Sequence, residues 1–104
     1  MNISYKSIVI RDYCYSTNPD LSNSRFTINE IQAIRAYIAD IRSAPSLADA
    51  PLSYDIINFE NGEIQLHIQF GKIKIQCRII SSLENPRADQ IKRILILDIL
   101  KIGS

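Results

Sequence analysis

Residues 54–80 read YDIINFENGEIQLHIQFGKIKIQCRII, and the fold follows from them. Asn61-Gly62 stands between two runs in which apolar and polar residues alternate, the strongest short-range signal for a two-residue type I′ hairpin. Further on, Gly71-Lys72 offers a second two-residue turn with glycine first, as type II′ prefers. Counting outward from the first turn pairs Phe59 with Ile64 and Ile57 with Leu66. The second turn pairs Phe70 with Ile73, Ile68 with Ile75, Leu66 with Cys77 and Ile64 with Ile79. All of these residues fall on one face. The other face carries Asn58, Gln65, His67, Gln69, Lys74, Gln76 and Arg78. The expectation is an antiparallel three-stranded meander with one apolar and one polar face.

Upstream of the meander, Thr27 and Glu30 form a T-x-x-E capping box, with Phe26 and Ile31 at the flanking staple positions. Ile31, Ile34, Ile38 and Ile41 then recur at helical spacing, which predicts an amphipathic helix over Thr27 to Arg42 lying on the apolar face of the meander. Ser43-Ala44-Pro45 ends it, and residues 46–53 form a connector with room for one helical turn. Residues 3–15 (ISYKSIVIRDYCY) read as a strand that extends the sheet, and residues 16–25 (STNPDLSNSR) as a polar loop. Downstream, Asn85-Pro86 looks like an N-cap with proline at the first helical position. It predicts a helix from Pro86 to about Ile102 that buries Ile91, Leu95, Ile99 and Ile102. Such a helix leaves Ile96 and Leu100 on its back, so it is apolar nearly all round. A sandwiched helix, a helix at a homodimer interface through residues 94–102, or a final strand would each account for that. The expected order is β-α-β-β-β-α, an α+β domain spanning residues 1–104.

With 104 residues, 46% hydrophobic and 22% charged, the chain has an ordinary globular composition and a net charge of +1. That balance argues against a strongly basic nucleic-acid binder. The charge is uneven, though: residues 1–63 carry eight acids and five bases, residues 64–104 three acids and seven bases. A basic C-terminal part suits an acidic partner. Cys14 and Cys77 follow no metal or disulfide spacing, and the meander register puts Cys77 on the apolar face as a small hydrophobe. There is no charged start followed by an apolar stretch, and the run Ile94 to Leu97 is far too short to span a bilayer. The expected setting is cytoplasmic, without membrane contact.

The residue types for catalysis do not assemble. His67 is the sole histidine and faces away from Cys77, so no metal site is expected and no cofactor is implied. The α-β-β-β-α order is that of the restriction-type PD-(D/E)xK nuclease core, and Asp55 followed by Glu63-x-Gln65 resembles its motif. Gln65 stands where that motif has lysine. The two-residue turn also sends Asp55 and Glu63 to opposite faces, where two carboxylates cannot hold one Mg²⁺. The order is similar to that of double-stranded-RNA-binding domains as well, which would give Arg87, Lys92 and Arg93 a role at the start of the last helix. The tight Asn-Gly turn has no room for that family's longer minor-groove loop, and its lysine cluster is absent.

Surfaces remain. The polar sheet face pairs Gln65 with Arg78, His67 with Gln76 and Gln69 with Lys74, a flat platform rich in hydrogen-bonding groups. Tyr13 and Tyr15 at a strand end form a second candidate patch. The sequence therefore points to a non-catalytic domain that covers a partner protein, such as a toxin or an enzyme, as an immunity protein, inhibitor or antitoxin does. The alternative is a nucleic-acid-binding or regulatory module using Lys72, Lys74, Arg78, Arg87, Lys92 and Arg93.

Overall fold

The computed structural model describes residues 1–15, 26–50 and 53–102. It is a small α+β domain in which two helices pack on one face of a five-stranded mixed sheet. The strands are β1 (Asn2–Tyr5), β2 (Tyr54–Asn58), β3 (Ile64–Phe70), β4 (Ile73–Ile79) and β5 (Arg93–Lys101), and the helices are α1 (Ile8–Tyr15) and α2 (Ile28–Ser43). The sheet order is β1-β5-β4-β3-β2, with β1 and β5 parallel and every other pair antiparallel.

Helix α2 forms as expected. The Thr27 hydroxyl accepts the Glu30 N–H (3.1 Å), and the Glu30 carboxylate accepts the Thr27 N–H (2.9 Å). Ile31, Ile34, Ile38 and Ile41 are all buried against the sheet. The second carboxylate contact of Glu30, to Lys101 Nζ at 3.0 Å, ties the helix start to the end of β5. Removing the Thr27 hydroxyl (Thr27→Ala) should cost about 1 kcal/mol, read from a denaturant melt. The connector contains one 3-10 turn, Leu47–Asp49, which buries Leu47 in the same core.

The turn at Gly71-Lys72 sets the β3–β4 register as read from the sequence: Phe70 lies opposite Ile73, Ile68 opposite Ile75, Leu66 opposite Cys77. Gly71 takes φ +55° and Lys72 has no positive φ, as a II′ turn requires. Cys77 is fully buried among isoleucines, and burial pushes its thiol up to about 12. Cys14 is buried on α1, and its thiol is likewise pushed up to about 12 by burial, against the opposing pull of Arg42 and Arg35.

Three expectations are corrected. First, the β2–β3 register is one residue off. Ile56 faces Leu66, Ile57 faces Gln65 and Asn58 faces Ile64. A type I′ turn needs φ > 0 at both central residues, but only Gly62 (φ +87°) has it. The loop is instead Glu60-Asn61-Gly62, closed by Phe59 N–H donating to Glu63 C=O (2.9 Å) and Gly62 N–H donating to Phe59 C=O (3.0 Å). This is a type I turn followed by a glycine bulge, and the Asn61 side-chain oxygen secures it by accepting the Glu63 N–H at 2.9 Å. A one-residue slip exchanges the two faces of the strand. Ile57 and Asp55 therefore join the polar face, and Asn58 joins the helix-covered one. With Ile56 and Ile57 adjacent, the alternation in β2 could not choose between the registers.

Second, residues 3–15 are not one strand. After β1 the chain becomes helical, with Ser7 capping α1: its hydroxyl accepts the Ile10 N–H (3.2 Å) and its carbonyl the Arg11 N–H (3.1 Å). Ile10 and Cys14, one turn apart, are the buried pair that holds α1 to the core. The helical spacing of Ile10, Tyr13 and Cys14 outweighs the β-branched run at its start, whose Ile8 and Val9 are exposed.

Third, the C-terminal segment is a strand. Asn85-Pro86 opens a loop with one 3-10 turn, Ala88–Gln90, and β5 then runs through the sheet between β1 and β4. Ile94, Ile96 and Ile99 are buried, an alternation that breaks once because Leu97 is an extra residue: Cys77 pairs with Ile96, but Gln76 pairs with Asp98. That bulge shifts the apolar phase by one residue, which is why the segment imitates a helical stripe. Ile91 is buried as expected, and Leu95 is half-buried on the opposite face.

Candidate partner-binding face

The buried parts of α1, α2 and the 3-10 turn at Leu47–Asp49 all belong to one core on one side of the sheet. The residues that alternate with that core form the other face. Gln65, His67 and Gln69 come from β3 and lie opposite Arg78, Gln76 and Lys74 of β4, the pairing read from the sequence. β5 adds Leu95 opposite Arg78, Asp98 opposite Gln76 and Leu100 opposite Lys74. The face therefore changes character across its width. It is amide-rich and polar over β3 and β4, and half-apolar over β5, where Leu95 and Leu100 are half-buried.

A chain of hydrogen bonds orders the polar part. Arg78 Nε donates to Glu63 Oε1 (2.9 Å), Gln65 Nε2 donates to the same oxygen (3.4 Å), and His67 Nε2 donates to Gln65 Oε1 (2.9 Å). The bond from Arg78, then that from Gln65, holds the Glu63 carboxyl below the usual carboxylate range. His67 is held below its ordinary value, chiefly by burial and then by Lys74, against the opposing pull of Asp55. The unfolded chain takes up the imidazole proton near the ordinary 6.5, before the folded one does. Stability from this group is complete above that pH and is lost as pH falls through the lower folded value. His67→Gln should keep the hydrogen-bonding length and remove this dependence, so the variant loses less Tm than the wild type between neutral and mildly acid buffer.

The corrected register changes what lies near His67. Asp55 sits directly opposite it, and Ser53, Asp55, His67 and Gln69 line one cleft of about 390 Å³. The residue types of a catalytic triad thus meet, but their bonding is not that of a triad. His67 Nε2 is engaged by Gln65, and among the described hydrogen bonds none joins His67 to Ser53 or Asp55. The comparison with the nuclease motif is corrected on the same ground: Asp55 and Glu63 share a face. Glu63 lies four positions along β3 from the partner of Asp55, about 13 Å at strand rise, and Arg78 occupies its carboxylate. Among the described residues no group of three or more His, Cys, Asp or Glu side chains could hold a metal ion.

A larger cleft of about 670 Å³ opens between the first hairpin and the β4–β5 connection, lined by Glu63, Arg78, Ser81, Leu83 and Asn85 among others. Phe59, Ile80 and Leu83, each more than two-fifths exposed, lie on the same two segments. Sequence reasoning missed this cleft, because nothing local announces that residues 81–85 return beside the hairpin.

The other candidate residues disperse. Tyr13 stands on α1, not on a strand end, and packs edge-on against Phe26 with ring centroids 5.4 Å apart. The side chain of Tyr15 and the loop at residues 16–25 lie outside the described residues. Lys72 sits at one end of β4, while Arg93 pairs near its other end. Arg78 is paired with Glu63, and Arg87 with Asp89 (3.2 Å). No described helix is long and apolar enough to cross a membrane. No protein-family model matches this chain, and it matches no curated protein and no solved structure.

Proposed function

We propose that this chain is a small non-catalytic domain that works by covering a partner protein, in the manner of an immunity protein, an inhibitor or an antitoxin. The observation that carries this reading is the asymmetry of the sheet. Its helices share one face, and the opposite face is ordered by the Arg78–Glu63–Gln65–His67 chain and flanked by the half-apolar strip of Leu95 and Leu100. Half-buried leucines beside fixed hydrogen-bonding groups are the composition of a protein interface. The face carries Lys74, Arg78 and Arg93 against Asp55, Glu63 and Asp98, so its formal charges balance. That balance fits a protein surface better than a phosphate backbone, whose binders gain affinity by neutralising several charges at once.

The test is affinity capture from the native host with and without nuclease, repeated with Gln76→Trp/Leu95→Glu, which blocks the face without touching the core. A single stoichiometric protein that survives nuclease and is lost with the double variant is the expected outcome. Capture that vanishes with nuclease would overturn the reading and direct attention to Lys72, Lys74, Arg78, Arg87, Lys92 and Arg93.

A further inference from the structure

Among the described residues, strand β2 is an edge of the sheet and pairs with β3 alone. Phe59 turns both its N–H and its C=O inward, to Glu63 and Gly62. By the alternation of an antiparallel ladder, Ile57 and Asp55 do the same, and the N–H and C=O groups of Tyr54, Ile56 and Asn58 point away from the sheet. Natural edges are blunted by lysine, proline, bulges or an inward charge. Residues 54–58 contain no lysine and no proline, and their register with β3 runs without a break. Ile56 (40% exposed) and Ile57 (37%) stand above and below this open ladder.

Charge says what fits there. From residue 43 to residue 71 the chain carries four acids and neither lysine nor arginine. A second copy of β2 is a poor occupant. One antiparallel register sets Asp55 against its own counterpart, and the register centred on Ile56 leaves the two aspartates as diagonal neighbours, about 7–8 Å apart. We infer that the β2 edge accepts an extended cationic segment of a partner protein as an additional antiparallel strand, with a lysine or arginine opposite Asp55 and a β-branched residue opposite Ile56. On the outer side of β2 the position opposite Asp55 is a non-hydrogen-bonded pair, where facing side chains come closest. An opposite charge therefore has its largest effect there. The partner residue facing Ile56 exchanges two backbone hydrogen bonds with it, which supplies affinity without sequence preference. This inference rests on the protein-binding reading and names the part of the partner that is gripped.

The probe is a capped peptide of about eight residues alternating lysine and valine, with a counterpart in which glutamate replaces lysine. Titrated into ¹⁵N-labelled protein, the lysine peptide should shift the amides of Tyr54, Ile56 and Asn58 and slow their solvent exchange, and the glutamate peptide should not. Asp55→Asn should weaken binding about threefold, the range of an exposed ion pair. Ile56→Pro, which removes an outward N–H and no ladder bond, should weaken it about tenfold or more. N-methylating the valine that faces Ile56 tests the same bond without altering the protein. Equal response to both peptides, no protection of β2 amides, or indifference to N-methylation would overturn the inference. Shifts confined to Gln65, Gln76 and Leu95 would overturn it too, while leaving the protein-binding reading of the open face standing. A dimer of the free protein that protects the same three amides would overturn it in favour of a second copy.

Discussion

Replacing Ile96 by alanine should destabilise the protein by about 2–5 kcal/mol, the range for truncating a fully buried isoleucine. Ile96 has no exposed surface and lies at the centre of the sheet, paired with Cys77 on β4 and Tyr5 on β1. A helix over residues 86–102 would put Ile96 on its outer surface, where the same change costs a few tenths of a kcal/mol at most. Leu95→Ala is the companion, because the strand leaves Leu95 half-buried on the open face and the helical stripe would bury it. The expected order of unfolding midpoints in urea is wild type, then Leu95→Ala, then Ile96→Ala well below both. Reversal of the two variants would restore the helix.

The second large effect is a contrast between neighbours. Ile57→Pro should cost about 2–3 kcal/mol, because the Ile57 N–H points into the β2–β3 ladder and proline leaves its acceptor on β3 unpaired. Ile56→Pro removes an N–H that points outward, as edge strands tolerate, and should cost well under half as much. The two side chains are equally apolar and similarly exposed, so burial does not separate them. In a two-residue Asn61-Gly62 turn the inward and outward amides would be exchanged, and so would the two results. Thermal melts of the pair therefore report the hairpin register directly, and they establish that Ile56→Pro is folded before it is used against peptides.

How much was legible in the letters depended on how far each signal reached along the chain. Helix α2 was readable because its cap, staple and apolar stripe are all local, and each agrees with the others. The β3–β4 hairpin was readable because the alternation on both strands is strict and the Gly-Lys turn admits one register. With it came the placement of Gln65, His67, Gln69, Lys74, Gln76 and Arg78 on one face. Where alternation failed, so did the reading. The adjacent Ile56 and Ile57 carry no phase, and a single φ at Asn61 decided whether Asp55 joined His67 or left it. The alternation of Ile94, Ile96 and Ile99 is broken by the unpaired Leu97, which gave β5 an apparent helical period.

The α+β class, the amphipathic helix, the central hairpin and the polar character of its open face are local properties of the chain, because each arises from residues within a turn or two of one another. The entry of the C-terminal segment into the sheet between β1 and β4, and the turn of α1 that lays Ile10 and Cys14 on the core, are set by packing between distant segments. The same holds for β2, which is an edge strand among the described residues and carries Asp55 opposite His67. These outcomes depend on which distant surface each segment buries. An all-round apolar segment such as residues 94–100 gains as much by completing a sheet as by closing a helix bundle, until β1 and β4 offer their free backbone groups on either side.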